Sequence, residues 1–110
     1  MAEMVPAHLL EHVAERFRIL GDSTRLAILR TLLAEGELNV GQLVERLGMS
    51  QANISKHLRT LADAGFGARR AKGPAASYRV ADPSLTQLCA LACDRLRQQA
   101  EEEARAILAV

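Results

Sequence analysis

The sequence predicts a mainly α-helical protein with one small β-hairpin, and three features of the chain support this fold class. Hydrophobic residues recur at helical spacing in several segments, most of which begin near a side-chain oxygen and end at a glycine. Aromatic residues make up only 3% of the 110 residues, so aliphatic side chains must build the core, and this composition favours helices. The stretch GARRAKGPAASYRVAD lacks helical spacing and contains a Gly-Pro turn signal. The length predicts a single domain over residues 1–110.

Two helices are predicted in the first third of the chain. Hydrophobic residues at helical spacing predict the first helix over about residues 7–20, and Gly21 is a plausible stop. Asp22 or Ser23 can cap the second helix, which has a broad hydrophobic face and ends at Gly36.

Two shorter helices follow, and the turn Gly48-Met49-Ser50 between them predicts a helix-turn-helix over about residues 40–64. Asn39 is the predicted cap of the first of these helices, and Ser50 is the predicted cap of the second, which Gly65 closes. The facing hydrophobic side chains should pack together, namely Val40, Leu43, Val44 and Leu47 on Ile54, Leu58 and Leu61.

A basic β-hairpin is predicted directly afterwards, over about residues 67–81, with its turn at Gly73 and Pro74. Asp82 and Pro83 then begin a last helix, predicted over about 83–108, because a capping residue followed by proline is a favoured helix start. Five helices and a hairpin in this order predict a winged helix-turn-helix, in which the hairpin is the wing.

The positive charge is concentrated in the middle of the chain. Residues 50–81 hold six lysine and arginine side chains against one aspartate, a net charge of +5, whereas the segments on either side are each at −2. A basic patch of this kind fits a polyanionic partner, although charge position alone fits a solvated surface equally well. The coincidence of the patch with a helix-turn-helix and a hairpin is what favours DNA binding.

The candidate DNA contacts lie on the second helix of the helix-turn-helix and on the wing. Gln and Asn can bond base edges, Ser can bond a base or a phosphate, and Lys and Arg bind phosphate or guanine. His57 is expected to contact phosphate or to pack locally. The complete set of predicted contacts is Ser50, Gln51, Asn53, Ser55, Lys56, His57, Arg59, Arg70, Lys72, Tyr78 and Arg79.

The segments ILGDSTRLAILRTL, LVERLGMSQANISKHLRTLADAG and RRAKGPAASYRV resemble the arsenic-repressor (ArsR/SmtB) family of winged-helix regulators, over about residues 13–98. The resemblance implies a homodimer joined by the first and last helices. It also implies binding to double-stranded operator DNA without ligand, and release on sensing a metal, a metalloid or sulfur chemistry. The residues expected at the dimer interface are Leu9, Val13, Leu85, Leu88, Ala92 and Leu96.

The chain departs from the family at its known sensing sites. Many members carry Cys-x-Cys at the start of the helix before the turn, where this chain has Asn39 and Gly41. Another branch binds zinc through Asp and His on the last helix, and this last helix contains no histidine. A sensing site of either kind is therefore not expected.

The only two cysteines, Cys89 and Cys93, lie one turn apart on the predicted last helix. At this spacing a disulfide is strained, because the β-carbons of a helical pair are about 5–6 Å apart and a disulfide needs about 3.5–4.5 Å. Two thiolates can instead share a thiophilic metal or metalloid ion, and thiol oxidation remains a second possibility. An equally weighted alternative to sensing is that both cysteines are small core residues at the dimer seam. His8 and His12 are the next candidates for a sensor.

Other function classes find less support in the sequence. No nucleophile with a base and an orienting carboxylate stands out, so an enzyme is not expected. The N-terminus lacks the pattern of a signal peptide and no apolar run approaches a membrane span, so a cytoplasmic protein is expected. The alternatives are a DNA-binding regulator with no inducer at the cysteines and a protein-interaction domain of the same fold.

Overall fold

A computed structural model describes residues 5–73 and 75–109 and confirms the winged helix-turn-helix. A turn of 3₁₀ helix over Ala7–Leu9 leads into the first of five α-helices. The elements then follow in the order α1 (Leu10–Leu20), α2 (Ser23–Glu35), β1 (Leu38–Asn39), α3 (Val40–Leu47), α4 (Gln51–Asp63), β2 (Gly67–Lys72), β3 (Ala75–Val80) and α5 (Ser84–Leu108).

Side-chain caps fix where α2, α3 and α4 begin. The Asp22 carboxylate accepts a hydrogen bond from the backbone N–H of Arg25 at 3.0 Å, and Ser50 Oγ accepts one from the N–H of Asn53 at 3.1 Å. Asn39 forms a reciprocal capping box with Gln42 at the start of α3. These caps satisfy backbone donors that have no partner inside the helix.

The last helix begins one residue later than predicted. Asp82 Oδ1 accepts hydrogen bonds from the backbone N–H of Ser84 at 3.0 Å and from its hydroxyl at 2.6 Å. Pro83 already has the helical backbone angles φ −67° and ψ −17°. Asp82 therefore accepts from the first backbone N–H of α5, and the helix starts within one residue of the predicted position.

A three-stranded antiparallel sheet contains the wing, with strand order β1-β3-β2. The predicted hairpin corresponds to β2 and β3, whose register pairs Arg70 with Ser77. Gly73 turns the chain with a φ of 58°, and Pro74, the other predicted turn residue, lies outside the described residues. The sequence did not predict β1, which pairs Leu38 with Tyr78.

The core lies between helices α2, α3 and α4 and the sheet, and it contains the first turn of α5. Its most deeply buried side chains are Phe66, Ile28, Leu29, Leu32, Leu43, Ile54, Leu58, Leu61 and Leu85. The burial of Leu85 corrects its prediction as a dimer-interface residue. Because it is 1% exposed in its own chain, it packs inside the protomer and has no surface left for a partner.

Apart from the half-buried Cys89, the rest of α5 is exposed, and it carries several hydrophobic side chains that the chain itself leaves uncovered. Leu88, Leu91 and Leu96 are 39%, 67% and 66% exposed. Leu10 and Phe17 of α1 are also exposed. None of the described helices combines the length and the hydrophobicity that crossing a membrane requires.

Candidate nucleic-acid interface

Helix α4 divides its side chains between the core and the solvent. Ile54, Leu58 and Leu61 are buried, whereas Gln51, Ser55 and Arg59 are exposed. Residues four apart lie above one another on a helix, so these three polar side chains form one continuous stripe. Lys56, also exposed, lies beside it. The stripe begins with the first residue of α4, at the helix end that reads base edges in helix-turn-helix proteins.

Two of the predicted DNA contacts at this helix already interact with neighbouring residues of the chain. Ser50 is exposed, but its hydroxyl oxygen caps α4. Asn53 is half-buried, and its side-chain amide lies 3.9 Å from the sulfur of Met49. Gln51 has no such contact among the described residues and is the freer of the two predicted base readers.

The His57 side chain lies on the buried face of α4 and not on its exposed face. It is 8% exposed, and its Nδ1 is 3.3 Å from a guanidinium nitrogen of Arg25. The Arg25 Nε donates to the carbonyl oxygen of Ile19 at 2.6 Å, which fixes the guanidinium between α1, α2 and α4. This arrangement corrects the prediction of His57 as a DNA contact and assigns it to local packing, the other role considered for it.

The wing carries its cations on both strands. Arg70 and Lys72 are on β2 and Arg79 is on β3, and all three are exposed. Tyr78 is half-buried and packs against the core. The positive charge predicted for this region is therefore presented at the surface.

Some of this charge is already paired within the chain. Glu37, directly before β1, lies 3.9 Å from Arg70 Nε and 3.6 Å from Lys72 Nζ. Arg59 is 4.0 Å from Asp63 in an exposed pair on α4. Within the described ranges, no carboxylate lies at salt-bridge distance from Lys56 or Arg79.

Arg16 connects the helix-turn-helix to the first and last helices. It donates to the carbonyl oxygen of Ala64 at the end of α4 at 3.1 Å, and to the Asp82 carboxylate before α5 at 3.2 Å. Its guanidinium also lies 4.2 Å from the centre of the Phe66 ring. The roles of Arg16 and Glu37 were not predictable from the local sequence, because both residues contact residues distant in the chain.

The cysteines lie on α5, outside this interface. Both thiols are free, with Cys89 half-buried and Cys93 exposed. In residues 5–73 and 75–109 no three His, Cys, Asp or Glu side chains gather in a way that could hold a metal ion. His8 and His12 are exposed near the start of the described chain. Among the described residues, a metal site in one protomer would therefore have to start from a pair of side chains such as Cys89 and Cys93.

The remaining residues predicted at a dimer interface are accessible to a partner. Val13 is half-buried, and Leu9, Leu88, Ala92 and Leu96 are exposed. A shallow groove lies between α1 and α5, and its lining includes Val13, Phe17 and Leu88. The first and last helices therefore both present hydrophobic side chains to solvent, and part of this hydrophobic surface lines one groove.

Comparisons with known proteins agree with this architecture. The model of the bacterial regulatory protein arsR family matches residues 22–66. A probable mercury resistance operon repressor of Streptomyces lividans is 39% identical over 80% of this chain and 70% of its own length. The structure of the antimony-specific repressor AntR superposes with a TM-score of 0.77 at 28% identity, over 92% of this chain and 90% of that one.

A further solved structure is that of a homodimeric winged helix-turn-helix DNA-binding domain, Mb0332 of Mycobacterium bovis. It superposes with a TM-score of 0.73 at 31% identity, over 89% of this chain and 92% of that one.

Proposed function

Because the chain belongs to the arsR family of bacterial regulatory proteins, we propose that it is a repressor that binds operator DNA as a homodimer. Like its relatives it is a transcriptional regulator and not an enzyme. A repressor acts on the chromosome, so the proposal includes a cytoplasmic location.

The exposed stripe on α4 is the observation that carries the DNA-binding proposal. Gln51, Ser55 and Arg59 project from one face of a helix whose opposite face is buried in the core. A helix fits the major groove of B-DNA, where Gln can bond adenine and Arg can bond guanine. The wing cations Arg70, Lys72 and Arg79 then contact phosphates on the flanking backbone.

The hydrophobic surface on α1 and α5 supports the homodimer. Exposed leucines such as Leu88 and Leu96 cost free energy in water and are stabilised when a partner covers them. Mb0332, which shares the fold, is described as homodimeric. In the dimer the two α4 helices, one from each protomer, would act as recognition helices related by a two-fold axis. They would bind half-sites about 34 Å apart, or a small multiple of that distance.

The proposed inducer is a thiophilic metal or metalloid ion held by Cys89 and Cys93. Soft ions favour thiolate ligands, and both thiols are free and share one face of α5. Relatives are described as a mercury resistance repressor and as antimony-specific. Ion binding would change the packing of α5 and misalign the recognition helices, with a coupling of about 1–3 kcal/mol. A thiol-redox signal acting at the same two cysteines is the second candidate, and the exposed Cys93 favours it.

The test compares the native protein with the double variant Cys89→Ser and Cys93→Ser. An operator selected from random DNA is first bound by each protein, and arsenite, antimonite or mercuric ion is then added while fluorescence anisotropy is followed. We expect both proteins to bind the operator equally and only the native protein to release it. A variant that still releases DNA would place the sensor elsewhere, and His8→Gln with His12→Gln would then be tested.

The alternatives predict different results in the same experiment. A regulator with no inducer at the cysteines binds the operator and keeps it in the presence of every ion. A protein-interaction domain of this fold binds no duplex at all, and the exposed cations Lys56 and Arg79 argue against it.

A further inference from the structure

We propose that Glu37 restrains the wing by competing with DNA phosphates for Arg70 and Lys72, and so sets how tightly the protein holds DNA of any sequence. The inference rests on the proposed DNA-binding function. It concerns an acidic residue outside the recognition helix and the wing strands.

The geometry gives each carboxylate oxygen of Glu37 its own cation. Oε1 lies 3.9 Å from Arg70 Nε, and Oε2 lies 3.6 Å from Lys72 Nζ. The Glu37 side chain is 25% exposed, whereas the two cations are 61% and 60% exposed. In each pair the Glu37 side chain is therefore more buried than the cationic side chain.

The two pairs span the central strand of the sheet. Glu37 directly precedes β1, Arg70 and Lys72 lie on β2, and β3 runs between these strands. Both cationic side chains must therefore extend across β3 to reach the carboxylate. In this conformation their charged ends point away from the outer edge of β2 and towards β1.

The anchoring of Glu37 differs from that of its partners. The next residue, Leu38, is 4% exposed and pairs with Tyr78 in the sheet, so the backbone beside Glu37 is held by the core. Arg70 and Lys72 have long side chains on an exposed strand. A phosphate can displace the carboxylate from the cations, but the negative charge of Glu37 stays beside the wing and repels the phosphate.

This arrangement predicts the sign of the effect. Exposed ion pairs are weak, so the restraint lowers DNA affinity without preventing binding. Phosphate contacts carry no sequence information, so the restraint acts equally on operator and on other DNA. An opposite role, in which Glu37 orders the cations for binding, would make its removal weaken binding.

The experiment uses Glu37→Gln, which keeps the size of the side chain and removes its charge. Affinity for a random-sequence duplex is measured against salt concentration, so the operator need not be known. We expect the variant to bind about three- to tenfold more tightly at low ionic strength. The gain should shrink as salt rises, because salt screens the exposed charges.

Two controls separate the restraint from a general change in charge. Glu35→Gln makes the same change in net charge, but Glu35 pairs with Arg46 at 2.8 Å and not with the wing. It should leave DNA affinity nearly unchanged. In a chain that carries Arg70→Gln and Lys72→Gln, Glu37→Gln should give a clearly smaller gain than in the native chain, because the cations it competes for are gone and only its repulsion of phosphate remains.

The outcomes are distinguishable from failure of the proposed function. Equal or weaker binding by Glu37→Gln, or an equal gain from Glu35→Gln, overturns the restraint alone. If neither the native protein nor the variant binds duplex DNA, the proposed function and the restraint are both overturned. Matching thermal unfolding curves for the variants would show that the differences do not come from misfolding.

Discussion

Single residues determine where the helices begin, and this part of the structure was predictable from the sequence. Asn39 and Ser50 were predicted as caps, and Asp22 was one of two candidates with Ser23, because each has a short side-chain acceptor directly before a helical pattern. Each accepts the expected backbone hydrogen bond in the structure, at 3.0, 2.8 and 3.1 Å. Capping involves residues only three positions apart, so the local sequence contains all the information it needs.

Replacement of Asn39 by Ala should lower the free energy of unfolding by about 1 kcal/mol. The change removes the side-chain acceptor for the Gln42 N–H, whereas the other bond of the capping box runs from the backbone N–H of residue 39 to Gln42 Oε1 and is kept. Denaturant unfolding at a fixed protein concentration measures the loss. Gln42→Ala removes the other hydrogen bond of the box and should cost less, because alanine also favours the helical conformation. Equal stability of native protein and Asn39→Ala would contradict the assigned cap.

The carboxylates of Asp22 and Asp82 should make the fold sensitive to acid. The backbone N–H of Arg25 lowers the pKa of Asp22 below its usual 3.8, and the Ser84 hydroxyl does the same for the pKa of Asp82. A lowered pKa in the folded state stabilises the fold above the unfolded-state value, and this stabilisation disappears as pH falls through the folded-state value. Asp22→Asn keeps an acceptor at the cap but has no carboxylate to titrate, so the free energy of unfolding should fall less steeply as the pH is lowered. An unchanged pH dependence would contradict the lowered pKa of Asp22.

Two side chains could not be placed from the local sequence, because distant residues decide their environment. His57 has the helical position of a half-exposed residue, and it is buried because Arg25 lies against it from α2. Leu85 shares a hydrophobic stripe with Leu88 and Leu96, but it alone is enclosed by the core of its own chain. Periodicity identifies a hydrophobic face without identifying what covers it.

At the scale of whole elements, the helices and the wing hairpin were predictable and the strand β1 was not. The helices carry helical periodicity, and α2, α3 and α4 also have a side-chain cap at one end and a glycine at or just after the other. β1 has only two residues, Leu38 and Asn39, and exists because β3 pairs with it much later in the chain. A segment of this length has no periodicity to recognise. β1 nevertheless matters for the site, since Glu37 directly precedes it.

The recognition helix and the wing should contribute to DNA binding in different ways. Gln51→Ala removes a side chain proposed to read a base, so it should relax sequence preference at one position, at a cost of about 1–3 kcal/mol on the operator. The salt dependence of binding should stay the same. Competition between operator variants, measured by fluorescence anisotropy, reports this change.

Arg79→Gln should weaken binding to every sequence and reduce the slope of log affinity against log salt by about one. Arg30→Gln is the matched control, because Arg30 is exposed on α2 and lies outside the proposed interface. A change in sequence preference with an unchanged salt slope would show that Arg79 does not contact phosphate.

At the scale of the molecule, α1 and α5 leave a hydrophobic surface that one protomer does not cover. The chain extends 60 Å along its longest axis and only 20 Å along its shortest. The residues of α5 beyond Cys89 are exposed through to the last described position. A 25-residue helix with this exposure needs a partner to bury its leucines. The proposed dimer supplies one, and its two-fold axis also relates the two α4 helices to each other.

Replacement of Leu96 by Asp should therefore split the dimer. Leu96 is 66% exposed in the protomer, so the change leaves the fold of a single chain intact, but in the dimer it would bury an unpaired charge. Sedimentation at micromolar concentration should show a dimer for the native protein and a monomer for the variant. The variant should also bind the operator more weakly, because a monomer engages one half-site at a time. Gln98→Asp, also exposed on α5, introduces the same charge outside the hydrophobic stripe and should remain dimeric. A native monomer, or a Leu96→Asp variant that stays fully dimeric, would show that the hydrophobic surface of α1 and α5 has another purpose.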